Sequence, residues 1–179
     1  MDKMKENVKK DKFTYVLFAV YLIALFWILL FKLSVHFSYM GNTRNVNLIP
    51  FNELFIQNGK IDWSEMIMNV LIFIPLGIYA GILFKRWIIG RILSLFFLIS
   101  LIIEVFQFIF ALGAFDITDI INNTLVGIIG LMTYLGIEKA FKNSVKAQKF
   151  INVVATIGTV LMIVLLSLLK MGKLWIRYQ

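Results

Sequence analysis

Long apolar runs alternate with short basic segments along the whole chain. Residues 13–31 and 66–84 carry no charge, and three further apolar runs cover about 88–110, 118–136 and 150–169. A helix needs roughly 20 apolar residues to cross the hydrocarbon of a bilayer. The pattern therefore predicts an all-α membrane protein, a bundle of about five transmembrane helices. Residues 32–65 break the pattern: they are mixed, contain Gly41, Pro50 and Gly59, and show no long apolar period. They predict a long outer loop after helix 1. Its apolar tip, Asn47-Leu-Ile-Pro50-Phe51, either re-enters the membrane, where protein or a wet cavity must satisfy its backbone, or lies on the surface with Pro50 in a turn.

Within the second run Pro75 removes one helical hydrogen bond and frees the Leu71 carbonyl, so a kink is expected there. Gly77-x-x-x-Gly81 leaves a smooth groove for a neighbouring helix. The first run is too long for the apolar part of a signal peptide, and no small-x-small cleavage site precedes Lys32, so it is read as a retained span. The chain then divides into a basic cytoplasmic tail (1–12), a transmembrane domain (13–170) and a short C-terminal tail (171–179).

Composition agrees with this and removes several alternatives. The chain is 60% hydrophobic and 16% charged, with a mean hydropathy of +0.87, whereas soluble domains carry about 25% charged residues. The net charge of +8 lies in short blocks between apolar runs. That is the layout of a topology signal rather than of a nucleic-acid surface, and no nucleic-acid partner is expected. With no cysteine and His36 as the single histidine, disulfides, thiolate metal sites and Ser-His chemistry have no basis. Orientation follows from the basic residues. An N-terminus in the cytoplasm puts Lys3, Lys5, Lys9, Lys10, Lys12, Lys85, Arg86, Arg91, Lys139, Lys142, Lys146 and Lys149 inside, against Lys32, Arg44, Lys60, Lys170, Lys173 and Arg177 outside. The larger inner share sets the cytoplasmic N-terminus.

The candidate chemistry sits in 104–130, where carboxylates, amides and glycines recur at helical spacing inside apolar sequence. Such groups are costly in hydrocarbon. Glu104 and Gln107 share one helix face; Asp116, Asp119 and Asn123 share one on the next helix. Ala111-Leu-Gly-Ala114 suits a tight turn that lets the faces meet. On the predicted topology Arg44, Asn47, Asn69, Glu104, Gln107, Asp116, Asp119 and Asn123 all fall on the outer side, around one polar pocket. Asp116 and Asp119 admit two readings: a helix cap of the capping-box kind, or ligands for a divalent cation such as Mg²⁺, which hard oxygen donors suit. Glu104 is either a general base raised in pKa by desolvation or one half of a structural ion pair with Arg44. Gly127 and Gly130 read as packing glycines.

Four motifs in order, Arg44 with Asn47-Leu-Ile-Pro50-Phe51, Asn69-x-x-x-Phe73-x-Pro75-x-Gly77, Glu104-x-x-Gln107 and Asp116-x-x-Asp119-x-x-x-Asn123-Thr-Leu, resemble the VanZ-like family of small bacterial membrane proteins. They cover residues 44–136. The chain has Val126 where that family often has glycine. The resemblance implies a bacterial cell-membrane, multi-pass protein connected with resistance to the glycopeptide teicoplanin, whose acyl tail inserts in the membrane. The expected ligand is then a membrane lipid, a lipid-linked cell-envelope component or an amphiphilic glycopeptide. The alternatives are an intramembrane enzyme acting on a lipid head group, with Glu104 as base and Asp116 and Asp119 holding the cation, and a proton-coupled carrier. No oligomeric state is read from the pattern.

Overall fold

The computed structural model describes residues 2–31, 45–51, 56–57, 60–61 and 63–170, and within them the apolar runs become five helices. These are α1 (Asp2–Phe31), α2 (Trp63–Leu83), α3 (Ile89–Ile109), α4 (Ile117–Phe141) and α5 (Ser144–Lys170). Four contain stretches long and apolar enough to cross a membrane: Lys12–Leu30, Ile89–Ile109, Ile117–Phe141 and Ser144–Val164. Helix α2 carries a shorter apolar stretch, Asn69–Leu83. The lysine-rich start of the chain is helical too, continuous with the first span. The loop after α1 contributes three two-residue strands, β1 (Val46–Asn47), β2 (Ile56–Gln57) and β3 (Lys60–Ile61); a fourth, β4 (Phe115–Asp116), precedes α4. Strands β2 and β3 pair antiparallel, and β1 pairs parallel with β4, Val46 opposite Phe115 and Asn47 opposite Asp116.

Helix ends follow local chemistry. Helix α4 stops where Lys142 turns left-handed (φ 49°), with Lys139 in its last turn beside the negative end of the helix dipole. Asn143 then accepts from the Val145 and Lys146 N–H groups and starts α5. The turn between α3 and α4 closes the same way. Leu112 N–H bonds the Gln107 carbonyl at 2.8 Å and Ala111 N–H bonds that of Phe108, the two bonds of a Schellman motif. The left-handed residue is Ala111 (φ 54°), not the glycine of this turn.

Lipid tails are as apolar as leucine, so van der Waals contact and polar bonds, rather than the hydrophobic effect, hold such helices together. Helix α2 lies against α4 along most of its length. A methyl placed on Gly77 would meet the Gly127 carbonyl and the Leu131 nitrogen; one on Gly130 would meet the Ile74 carbonyl and Gly77 Cα. The two backbones touch. Gly81 accommodates the Tyr134 ring and Gly127 the Phe96 ring. Around this contact Leu25, Leu29, Phe73, Leu76, Ala80, Phe96, Ile103, Val126 and Leu131 form the core. Val126 is thus a filled core position, and the close approach is carried by the glycines beside it. Helix α5 stays outside this core. It joins the bundle through Ile151, near Ile82 and Tyr134, and through Asn152 and Gln148, whose amides both donate to the Thr14 hydroxyl of α1.

In the turn before the proline of α2, α1 contributes a hydrogen bond. The Tyr21 hydroxyl donates to the Ile72 carbonyl at 2.6 Å and packs at 5.5 Å from Tyr79. The sequence places the freed carbonyl at Leu71; the hydroxyl reaches the next one along, on the face turned to α1. At the opposite end from β4, Lys85 meets Glu138 at 2.8 Å and lies over the Tyr134 ring. Partial burial works against the Lys85 ammonium, but the interactions with Glu138 and Tyr134 together outweigh it and hold the pKa above the usual lysine value.

Because no side chain fits at the α2–α4 contact, Gly77→Ala and Gly130→Ala should each destabilise the bundle by roughly 1–3 kcal/mol through overpacking. Gly158→Ala, where nothing lies within 4 Å, should change stability little. Denaturant unfolding of the purified proteins in one detergent tests this; equal stability of Gly77→Ala and Gly158→Ala would refute the contact.

Candidate functional site

The first turn of α4 presents backbone N–H groups that have no intrahelical partner. Asp116 is the N-cap, in extended conformation (φ −123°, ψ 118°), and its Oδ1 accepts from Thr118 N–H at 2.6 Å. In a capping box the acidic residue three positions on would return a bond to the N-cap N–H. Here Glu104 of α3 takes that part: its Oε2 accepts from Asp116 N–H at 2.9 Å. Glu104 is 2% exposed. The bond both satisfies a donor at the start of the helix and ties the end of α3 to the start of α4.

Further contacts assemble around this pair. Asn47 of β1 donates to Asp116 Oδ2 at 3.1 Å, in line with the backbone pairing, where Phe115 N–H reaches the Asn45 carbonyl. Phe51 N–H donates to the Thr118 hydroxyl at 3.1 Å, and Ile49 N–H to Asn47 Oδ1. Asn69 of α2 donates to Asp119 at 3.4 Å. One turn deeper Asn123 donates to Ser100 of α3 at 3.0 Å, while its Oδ1 is buried without a hydrogen-bond partner among the described residues. An open acceptor at the floor of a polar cluster is a place for a donor.

The predicted residues therefore divide. Asn47, Asn69, Glu104, Asp116, Asp119 and Asn123 converge at one end of the bundle. Gln107 shares the Glu104 face but reaches α1, donating to the Leu29 carbonyl at 2.9 Å and capping the last turn of that helix. Arg44 lies outside the described residues. Thr118 and Ser100 belong to the cluster and were not singled out by the sequence reading. Ser100 is four residues before Glu104 on the same face, a position that extending the helical spacing one turn down reaches.

The two carboxylates read as candidate cation ligands are engaged differently. Both oxygens of Asp116 accept from N–H donors, and Asp119 bonds a different partner, Asn69. Among the described residues no group of three or more His, Asp or Glu side chains is placed to hold a metal ion. The arrangement provides instead a ring of amide and carboxylate groups at the positive end of a helix dipole.

A bundle of short apolar helices with such a cluster at one end is a recognisable class of small membrane protein, and the comparisons with known proteins identify it. The VanZ/LLP1 family model matches residues 18–143, which takes in most of the first span as well as the four motifs. The chain belongs to this family. It is 39% identical over 154 residues to Protein VanZ of Enterococcus faecium, covering 84% of this chain and 88% of that protein. No solved structure matches it.

The cap and the loop tether can be separated at Asp116. Asparagine keeps an acceptor for Thr118 N–H but sets an amide donor against the Asn47 amide. Asp116→Asn should therefore leave helix content and stability near the parent while exposing residues 45–51 to protease. Asp116→Ala should cost about 1 kcal/mol besides. Circular dichroism during unfolding, together with limited proteolysis, reads both effects; an Asn variant as protease-resistant as the parent would remove the tether from the account. At the α3–α4 turn, Ala111→Gly should raise stability by roughly 1 kcal/mol, since glycine adopts the left-handed conformation without penalty. An unchanged unfolding midpoint would mean the turn carries no strain.

Proposed function

We propose that this protein sits in the bacterial cell membrane with its N-terminus in the cytoplasm and its polar cluster facing outward. There it would bind the polar part of a lipid-linked cell-envelope component or of an amphiphilic glycopeptide, and so support resistance of the teicoplanin type. The observation that carries the reading is the buried Glu104 carboxylate bonded to Asp116 N–H, with the amides of Asn47 and Asn69 around it. Amides and carboxylates in this density match the hydroxyls and amides of sugars and peptides better than they match an apolar ligand.

The two ends of the bundle support the orientation. Lys85, Arg86, Arg91, Lys139 and Lys142 gather at the end opposite the cluster, as cytoplasmic loops do. Membership in the VanZ/LLP1 family supports the resistance reading. Binding is preferred to head-group chemistry because the Asp116 oxygens are already engaged by N–H donors.

Glutamine at 104 retains an acceptor for Asp116 N–H, so Glu104→Gln should accumulate in the membrane at parental level. It should nevertheless lose most of the protection against teicoplanin that the parent confers on a susceptible host. Parental protection by this variant would make the cluster structural. A lipid extract compared by mass spectrometry with and without the protein should show no modified head group; a new species would favour the enzyme. For orientation, a reporter active only in the cytoplasm and fused after Gln179 should stay silent.

A further inference from the structure

The geometry points to a second membrane contact: the tip Leu48-Ile49-Pro50-Phe51 is inserted among the acyl chains of the leaflet on the cluster side, at the mouth of the polar site. Four consecutive residues here carry no polar side chain. Leu48 and Ile49 are 63% and 62% exposed and Phe51 49%. In water such a run would be a liability. Its depth follows from the helices it is tied to. About 30 Å of hydrocarbon corresponds to roughly 20 helical residues. Counted from Glu138 on α4 this reaches Thr118, and from Arg91 on α3 it reaches Ala111. Strand β1 pairs with Asp116, whereas Phe51 bonds Thr118, one step further into the bundle. The tip thus descends along the first turn of α4 to the hydrocarbon boundary, at the end of the bundle where α3 also exposes the rings of Phe106 and Phe110.

The backbone at the tip is prepared for that depth. Ile49 N–H is taken by the Asn47 side chain and Phe51 N–H by the Thr118 hydroxyl, and Pro50 has no N–H to satisfy. Phe51 is held at φ 60°, a conformation that costs a bulky residue energy. Through it the N–H turns inward to Thr118 while the ring stays outside. If the polar cluster binds an envelope amphiphile, as proposed above, its ligand meets the cluster at head-group level with its chain still in lipid. That step rests on the proposed function; the insertion of the tip does not.

The chain has no cysteine, so a single introduced thiol can be labelled alone. Ile49→Cys carrying a nitroxide, in the full chain reconstituted into phosphatidylethanolamine–phosphatidylglycerol vesicles, is compared with Ile157→Cys on the lipid face of α5 and Arg86→Cys in the loop after α2. Power saturation with oxygen, which concentrates in hydrocarbon, and with a water-soluble nickel chelate gives an accessibility ratio at each site. The ratio at 49 should exceed that at 86 by about fivefold and lie below that at 157, which sits at the middle of its span, because polar species are excluded increasingly with depth in hydrocarbon. Leu48→Cys should behave alike. A ratio equal to that at 86 overturns the inference, and so does exclusion of both reagents, which would mean that protein, such as a second copy, covers the tip. An aqueous tip with Glu104→Gln inactive would leave the binding reading standing without this one; an inserted tip with Glu104→Gln fully active would do the reverse.

Discussion

Everything in this bundle depends on α2 and α4 approaching until their backbones touch. In lipid there is no water to expel from between apolar faces, so the number of atoms in contact sets the energy. Gly77 on one side and Gly127 and Gly130 on the other remove the side chains that would hold the helices apart. The consequence reaches the far end of both helices. Asn69, two turns before Gly77, comes within bonding distance of Asp119, two turns before Gly127. Polar placement at the site is thus an outcome of packing at mid-membrane.

The second constraint is the start of α4. A helix that begins buried among other helices exposes N–H groups that apolar neighbours cannot satisfy. The chain answers with two carboxylates, Glu104 from α3 for the Asp116 N–H and Asp116 itself for the Thr118 N–H, and Asn47 from the loop after α1 donates to the second of them. The arrangement is a capping box whose returning carboxylate comes from a neighbouring helix. On the proposed binding role, stability and recognition would be coupled there, since the groups offered to a ligand also close the fold. Thr118 and Ser100 extend the network without adding charge.

Much of this was legible in the sequence. The apolar runs marked every helix, because a membrane span must be both long and uncharged, but not the charged turns by which α1, α4 and α5 extend beyond them. The spacing of Glu104 against Asp116, Asp119 and Asn123 marked the facing polar surfaces. What the spacing left open was the choice among partners at one face. Gln107 shares the face of Glu104 yet turns to the Leu29 carbonyl, a group that exists for it only once α1 has packed alongside. The capping-box reading of Asp116 and Asp119 recognised the cap but not the source of its second half, since Glu104 arrives across a turn. The positive φ at Ala111 was equally out of reach, the nearby Gly113 being the residue that composition favours.

The hydroxyl of Tyr21 bears on how the chain is assembled in a cell. Residues leave the ribosome in order, so α1 is made before α2, and α2 comes with a proline that leaves the Leu71 carbonyl without its helical N–H. The Tyr21 hydroxyl does not fill that gap; it bonds the neighbouring Ile72 carbonyl, in the turn the proline weakens. The weakened turn is thus braced from the helix made first rather than from within α2.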